Sequence, residues 1–232
     1  GSGEWRGGTG VVFSVRIAKD GSSVLGRGME RFVFRPWGIA GGKPGERARV
    51  VVNLGLPNEK ELGKLDIFNA EPGDIVTIMT PGGGGFGDPL KRPEEKVLED
   101  VLFGYVSEES ALDDYGVVIH DGNIQKSRTR EMREKKRYLK SENQIYNFGP
   151  ERDAWEQVFD DNSMCELNSL LMQLSTSVRS KRRADVFYAV IPNLAEFSSS
   201  DLGSLIGDPK KAKSEFERQL DVLRSDVREL SG

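Results

Sequence analysis

The stretch Thr80-Pro81-Gly82-Gly83-Gly84-Gly85-Phe86-Gly87-Asp88-Pro89 contains five glycines and two prolines, and it directly follows the alternating apolar segment 75–79. This order predicts a strand and then a loop built mainly from backbone. Glycine loses more conformational freedom on folding than any other residue, so four in a row are expected only where side chains would block a close approach or where φ is positive. A tight strand-to-helix crossing packed on another segment and a substrate-lining loop both fit this pattern.

Two further glycine clusters lie in the first ninety residues, at 6–10 and 36–45. Short segments rich in β-branched and aromatic residues separate the clusters, and this composition is typical of strands. The sequence Glu71-Pro72-Gly73-Asp74 predicts a turn before the last of them, because proline fixes φ and glycine accepts positive φ. The predicted strands lie at 11–17, 31–34, 48–53 and 75–78.

Helical patterns begin after Pro93, with acidic residues in the first turn. A second helix is predicted over 107–112, with Ser107 as its N-cap. The stretch 126–140 mixes Lys and Arg with Glu and has few apolar residues, which predicts a solvated helix or a flexible linker. RNA binding is the weaker interpretation of this stretch, because interleaved aromatic residues and a glycine-rich sheet motif are missing.

The C-terminal part of the sequence is also helical in pattern. An amphipathic segment over 153–174 predicts one helix or a pair broken near Asp160. The last segment, 209–230, has an apolar stripe that this chain or a partner must cover. The stripe consists of Phe216, Leu220, Leu223, Val227 and Leu230.

These patterns predict the α+β class, with a β-rich, glycine-looped N-terminal part followed by a mainly α-helical C-terminal part. Four regions are expected along the chain. They are a β-rich glycine-loop region at 1–92, short helices and a strand that complete the domain at 93–125, a charged linker or helix at 126–145, and a helical extension at 146–232.

Composition excludes several classes of function. The 232 residues carry a net charge of −4, which argues against a general nucleic-acid or anionic-membrane surface. One cysteine excludes an internal disulfide framework, and no apolar run reaches membrane-spanning length, so we expect a cytoplasmic protein. With one histidine, no Gly-x-Ser-x-Gly elbow and no Gly-Lys-Ser/Thr after the glycine run, we expect no self-sufficient metal hydrolase, serine hydrolase or nucleotide loop.

Several single residues have a structural and a functional interpretation. His120 precedes a turn, so a local hydrogen bond is favoured over a ligand role. Cys165 lies in a helical apolar pattern and is predicted to be a buried thiol, not a nucleophile. Trp37 and Phe86 are predicted to pack. Arg6, flanked by Trp5 and glycines, fits either a bidentate carboxylate ligand or an internal ion pair.

Several motifs in order along the chain resemble the C-terminal part of the hydantoinase B/oxoprolinase family. The resemblance extends over residues 1 to about 190, through Tyr146 and Phe148-Gly149-Pro150-Glu151-Arg152. The motifs that carry it are Glu4-Trp5-Arg6-Gly7-Gly8, Pro36-Trp37-Gly38, Gly41-Gly42-Lys43-Pro44-Gly45, Gly73-Asp74, the run 80–89, Val101-Leu102, Gly104-Tyr105-Val106-Ser107 and Asp114-Tyr115-Gly116-Val117-Val118.

The resemblance implies an ATP-dependent system in which an A-type subunit activates a cyclic amide such as a hydantoin or 5-oxoproline, and a B-type component completes ring opening. Related systems carboxylate ketones such as acetone and acetophenone. In the family, the metal-binding residues lie in the N-terminal half of the B component. The resemblance therefore implies that this chain is a C-terminal portion, inactive alone and binding no cofactor alone.

The expected partners are the N-terminal half of the B-type subunit, the A-type ATP-binding subunit and a small cyclic amide or ketone, with no nucleic acid or membrane. ATP, Mg²⁺ and a divalent metal are expected on the partner chain or the missing half. Two alternatives remain. The resemblance also allows part of a subunit of an ATP-dependent ketone carboxylase of the acetone or acetophenone type. A non-catalytic assembly module is the other, because no acid/base or metal constellation is present and the C-terminal stripe is apolar. We expect no metal ligand and identify no catalytic residue; the predicted substrate or interface loops comprise Arg6, Gly7, Gly8, Trp37, Gly41, Gly42, Gly82, Gly83, Gly84, Gly85, Phe86 and Asp88.

Overall fold

The protein is described by a computed structural model, and the α+β class is confirmed. Small antiparallel sheets form the N-terminal part and helices dominate the C-terminal part. The chain forms two compact units, Gly1–Gly149 and Pro150–Gly232. The described residues are 1–26, 30–64, 67–138, 145–193 and 202–231.

The described residues of the first unit form a four-stranded antiparallel sheet and three two-stranded ones. The larger sheet has the order β1-β7-β4-β5, and the small sheets pair β2 with β6, β3 with β10, and β8 with β9. The strands are β1 (Val12–Arg16), β2 (Ser22–Leu25), β3 (Gly38–Ile39), β4 (Arg49–Val52), β5 (Lys60–Glu61), β6 (Ile67–Ala70), β7 (Ile75–Met79), β8 (Ile119–His120), β9 (Asn123–Ile124) and β10 (Tyr146–Asn147).

The predicted strands that became β1, β4 and β7 are confirmed, whereas the strand predicted at 31–34 is wrong. Arg31 has φ of 69°, which a strand cannot accommodate. Phe32, one of the apolar residues that suggested a strand, packs instead against the core of the sheet. The buried members of that core are Ile17, Val50, Val52, Ala70 and Val76.

Helices follow the sheet in the first unit. They are a 3-10 helix (Pro89–Lys91), α1 (Glu94–Leu102), α2 (Glu108–Asp113) and α3 (Lys126–Tyr138). The predicted cap is confirmed, because Ser107 Oγ accepts a 3.0 Å hydrogen bond from the Ser110 N–H. The charged segment is a helix over the described residues 126–138, and residues 139–144 lie outside the described part. Thr129, fully buried on α3, accepts a 3.0 Å hydrogen bond from the Val118 N–H, so one face of this charged helix is packed.

The second unit is helical. Its elements are α4 (Pro150–Glu156), α5 (Asp161–Gln173), α6 (Thr176–Val190), α7 (Leu202–Ile206) and α8 (Pro209–Ser231). The predicted break near Asp160 is confirmed, because this side chain caps α5 by accepting a 3.0 Å hydrogen bond from the Ser163 N–H. α8 packs against both α5 and α6.

Aromatic rings form the centre of the second unit. The Phe159 ring centroid lies 4.2 Å from that of Trp155, 5.3 Å from Phe187 and 4.8 Å from Phe216. The α8 stripe is therefore covered inside this unit, because its members Phe216, Leu220, Leu223 and Val227 are all buried. The side chain of Leu230, the last member of the predicted stripe, lies outside the described part.

The prediction of a buried thiol at Cys165 is wrong. Cys165 is exposed, whereas Leu167 and Leu171 of the same helix are buried. At about 100° per residue, Cys165 points away from both leucines, so the apolar neighbours in sequence are not neighbours in space.

We expect the carboxylate of Glu215 on α8 to make the stability of the protein depend on pH. Glu215 accepts hydrogen bonds from Arg218 at 2.7 and 2.8 Å and from Gln219 at 2.8 Å, which lower the pKa of Glu215 to about 2. Because this pKa is lower in the folded than in the unfolded chain, the stabilisation is present above about pH 4.3 and disappears as the pH falls toward 2. Thermal denaturation should show wild type melting above Glu215→Gln at pH 7, with the difference closing by pH 2. A difference independent of pH, or the same pattern for Glu217→Gln at an exposed position of α8, would contradict this account.

Candidate functional site

Three glycine-rich segments lie side by side in the first unit, and we call them the glycine layer: residues 1–10, 36–45 and 82–87. Main-chain hydrogen bonds join them directly. Trp5 and Phe86 exchange two bonds of 2.9 Å, the Ile39 N–H donates to Gly85 O at 2.9 Å, and the Lys43 N–H donates to Ser2 O at 2.7 Å. The layer is thus a small sheet-like arrangement of irregular backbone.

The glycines are required because neighbouring backbones occupy the space of a side chain. A Cβ added at Gly84 would meet the Trp37 carbonyl, one at Gly42 would meet Gly85, and one at Gly85 would meet Ser2, all closer than 3.0 Å. Such separations are not found for real Cβ atoms. Of the two interpretations of the glycine run, backbone contact is therefore observed at Gly84 and Gly85.

One face of the layer carries a row of large apolar side chains. Trp5 bridges to Phe86, Phe86 bridges to Ile39, and Ile39 pairs with Tyr146 of β10. Directly paired residues project to the same face of a sheet, so these four side chains form one row. Trp5, Phe86 and Tyr146 are each at least half exposed. Phe86, which was predicted to pack, is 52% exposed in this chain.

A cavity of about 730 Å³ lies beside the layer, within the first unit. Of the predicted loop residues, four line it: Arg6, Gly7, Gly8 and Gly82. The other walls come from the end of the larger sheet, through Val12, Arg49 and Met79, and from the helical region, through Tyr105, Asp114 and Tyr115. The cavity thus joins the glycine layer, the sheet and the helices.

The other predicted loop residues do not line this cavity. Seven of them lie within the glycine layer, and Asp88 directly follows it. The seven are Trp37, Gly41, Gly42, Gly83, Gly84, Gly85 and Phe86. Trp37 packs on Phe148 with ring centroids 6.0 Å apart and has the Arg31 guanidinium 4.8 Å from its ring centroid. Asp88 caps the 3-10 helix by accepting a 3.0 Å hydrogen bond from the Leu90 N–H.

Charged side chains that sequence reasoning missed give the cavity its polarity. Lys43 forms an ion pair with Asp114, which also accepts a 2.9 Å hydrogen bond from Ser2 Oγ. Arg35 pairs with Glu46 at 2.8 Å. These ion pairs restrict the side chains of the cavity wall, and the Lys43 and Arg35 cations still line the cavity. The signal in the sequence was the density of charged residues at 43–49, at the end of the second glycine cluster and just beyond it.

Arg6 is held by a buried carboxylate. Its Nε lies 3.2 Å from Asp100, and Arg92 Nη2 donates to the same carboxylate at 2.9 Å. The Asp100 side chain is only 8% exposed. The Arg6 guanidinium also lies 5.0 Å from the centroid of the Tyr105 ring. Of the two roles considered for Arg6, the internal ion pair is therefore present, and the residue still reaches the cavity wall.

Tyr115 connects this cluster to the helical region. Burial raises the pKa of its hydroxyl to about 12, and its carbonyl accepts a 3.0 Å hydrogen bond from Arg133 on α3. Arg133 also donates to the Arg92 carbonyl at 2.7 Å. Tyr115 therefore remains neutral at physiological pH, as a fixed part of the cavity wall.

The described residues contain neither a cluster of metal ligands nor a membrane-spanning helix. No group of three or more His, Cys, Asp and Glu side chains in that part of the chain is arranged to hold a metal ion. Within the same residues, no helix combines the length and the apolar composition needed to cross a membrane. His120, at the end of β8, lies 3.4 Å from Asp121 and is exposed.

Comparison with known proteins agrees with the ordered motifs of the glycine layer. The family model of hydantoinase B/oxoprolinase matches residues 1–89, which contain all three segments of the layer. Residues 1–89 are therefore similar to the hydantoinase B/oxoprolinase family. The resemblance inferred from the motifs is confirmed over this stretch.

Two relatives extend the similarity beyond residues 1–89. A protein of Pseudomonas sp. (strain NS671), provisionally assigned as the B-type subunit of a D-/L-hydantoinase, is 38% identical over 135 residues, which are 56% of this chain and 22% of the relative. The beta subunit of caprolactamase from Pseudomonas jessenii is 39% identical over 129 residues, 54% of this chain and 22% of the relative. The chain therefore spans about a fifth of the length of these relatives.

A solved structure is also similar. The crystal structure of the ATP-dependent caprolactamase from Pseudomonas jessenii gives a TM-score of 0.48 at 33% identity, with 57% of this chain and 24% of that chain covered.

Substitutions of two glycines test the packing of the layer. Gly85→Ala places a Cβ against the Ser2 backbone and should lower the free energy of unfolding by about 3 kcal/mol, the upper end of the usual range for overpacking. Gly8→Ala is the matched control, because a Cβ there meets no atom within 4 Å. Urea denaturation followed by Trp fluorescence measures both. Equal stability of the two variants would show that the close approach is not required.

A second pair of substitutions tests the buried carboxylate. Asp100→Asn leaves the Arg6 and Arg92 guanidiniums without their shared anion and should destabilise the first unit by about 3 kcal/mol. Glu99→Gln, next to it on α1, breaks an exposed pair with Lys96 and should cost about 0.5 kcal/mol or less. Similar losses in urea denaturation for both variants would mean that Asp100 does not anchor Arg6.

Proposed function

We propose that this chain is the C-terminal portion of a B-type subunit in an ATP-dependent hydrolase of cyclic amides, of the hydantoinase and 5-oxoprolinase kind. The observation that carries the proposal is the hydantoinase B/oxoprolinase match over residues 1–89, together with relatives named for hydantoin and caprolactam hydrolysis. Hydantoins, caprolactam and 5-oxoproline share a ring amide, so the cyclic amide is the common substrate class.

In this proposal the chain supplies part of a site and not the whole of it. The described residues do not fit a metal centre, since they offer no cluster of His, Cys, Asp and Glu ligands. We therefore assign ATP, Mg²⁺ and the divalent metal to an A-type subunit and to the N-terminal part of the B-type subunit. No step of the reaction is assigned to residues of this chain, and the chain alone is proposed to be inactive.

The contribution of this chain is positional. The glycine layer holds Arg6 and Lys43 at the cavity, and the pairs with Asp100 and Asp114 restrict both cations. Cations held in this way favour a ligand carrying negative charge or a polarised carbonyl oxygen, such as an opening amide ring or its carboxylate product. The exposed row that includes Trp5 and Phe86 fits an interface with the other part of the subunit.

A segment exchange in a known protein tests this function. The 129-residue stretch of the Pseudomonas jessenii caprolactamase beta subunit that matches this chain is replaced by the matching residues of this chain, and the chimera is combined with its partner subunit. We expect ATP-dependent hydrolysis of caprolactam, measured as release of the ring-opened amino acid. The Glu99→Gln chimera should keep this activity, whereas the Gly85→Ala chimera should lose most of it.

Two outcomes would contradict the proposed function. A chimera that folds and assembles but hydrolyses no caprolactam in the presence of ATP would show that this chain does not perform the role of the matched segment. Activity without added ATP would contradict the ATP-dependent class.

A further inference from the structure

The open edge of the larger sheet is the strand β1. It lies at one end of the order β1-β7-β4-β5, and all five of its residues are exposed. Val12 is 66% exposed, Phe13 46% and Val15 48%. Edge strands of stable proteins are often protected by charged side chains, proline or a bulge. β1 has no proline or bulge, and its one charged residue, Arg16, lies at its end.

The hydrogen-bond pattern shows which main-chain groups are open. The Thr80 N–H donates to Val11 O at 2.9 Å, and the Ile17 N–H donates to Asp74 O at 2.8 Å, so the odd-numbered residues bond to the β7 side. In an antiparallel ladder the residues between them point their N–H and C=O groups the other way. Val12, Ser14 and Arg16 therefore direct these groups outward, and no strand in the described part of the chain pairs with them.

The same edge borders the cavity. The Val12 side chain is part of the cavity wall, beside those of Met79 and Arg49 on the neighbouring strands. A strand added outside β1 would place the side chain opposite Val12 on this same face, because paired residues share a face of the sheet. Such a strand would extend the cavity wall with a residue of its own.

We propose that β1 is an interior strand in the assembled subunit, paired on its open side by an extended segment from the part of the B-type subunit that this chain does not include. The proposal rests on the proposed function. About four fifths of the length of the two relatives lies outside the match, which provides the segment. Its residue opposite Val12 completes the cavity, and its flanking side chains cover Phe13 and Val15.

Hydrogen–deuterium exchange resolved to single amides tests the pairing. In the isolated chain, the amides of Phe13 and Val15 should be protected by β7, while those of Val12, Ser14 and Arg16 exchange rapidly. In the chimera with the caprolactamase beta subunit, exchange of the three outward amides should slow by roughly 100-fold or more, as expected for newly paired strands. The parent protein, measured at the aligned positions, gives the same test if the chimera does not fold.

The proposal is overturned if the chimera protects Phe13 and Val15 but leaves Val12, Ser14 and Arg16 as fast as in the isolated chain. The readout is separate from activity, so protected outward amides without caprolactam hydrolysis would reject the proposed function and retain the strand pairing. Caprolactam hydrolysis with unprotected outward amides would retain the proposed function and reject the strand pairing.

A proline provides the second measurement. Ser14→Pro removes an outward N–H but no main-chain hydrogen bond to β7, and like Ser14→Ala it loses the hydroxyl contact with Thr77. In the isolated chain the two variants should therefore have similar melting temperatures. In the chimera, Ser14→Pro should melt clearly below Ser14→Ala. Equal melting temperatures in the chimera would contradict a strand paired at Ser14.

Discussion

The first unit depends on the close packing of backbone on backbone in the glycine layer. Where Gly84 lies against the Trp37 carbonyl and Gly85 against that of Ser2, no side chain fits between the segments. Main-chain hydrogen bonds replace side-chain packing as the specific contact, and they must compensate for the high conformational entropy of the glycines. This constraint explains why glycine is concentrated in three short segments and not spread along the chain.

The layer determines where the charges of the cavity lie. Arg6 belongs to the first segment of the layer and pairs with Asp100 on α1. Lys43 belongs to the second segment and pairs with Asp114, which follows α2. Both pairs connect irregular backbone to regular helices, which gives the loops a rigid support. The open features of the same unit are the aromatic row around Phe86 and the edge of β1, and both fit surfaces that a larger subunit covers.

Local signals predicted much of the fold. The strands β4 and β7, the Ser107 cap and the break at Asp160 follow from residue type and spacing, and all are present. The prediction of a strand at 31–34 was wrong because the conformation of Arg31 depends on tertiary contacts. The prediction of a buried thiol at Cys165 was wrong because apolar neighbours in sequence project to other sides of a helix. At the cavity, Arg6 was found through its glycine neighbours. Lys43 and Asp114 were missed as a pair because 71 residues separate them.

The central claim is that this chain works as part of a larger B-type assembly. Native mass spectrometry with metal analysis on the untagged protein, purified from its source, tests it most directly. The account predicts a stable complex with a larger, metal-bearing chain. A monomer of this chain alone, free of metal and stable in solution, would contradict it.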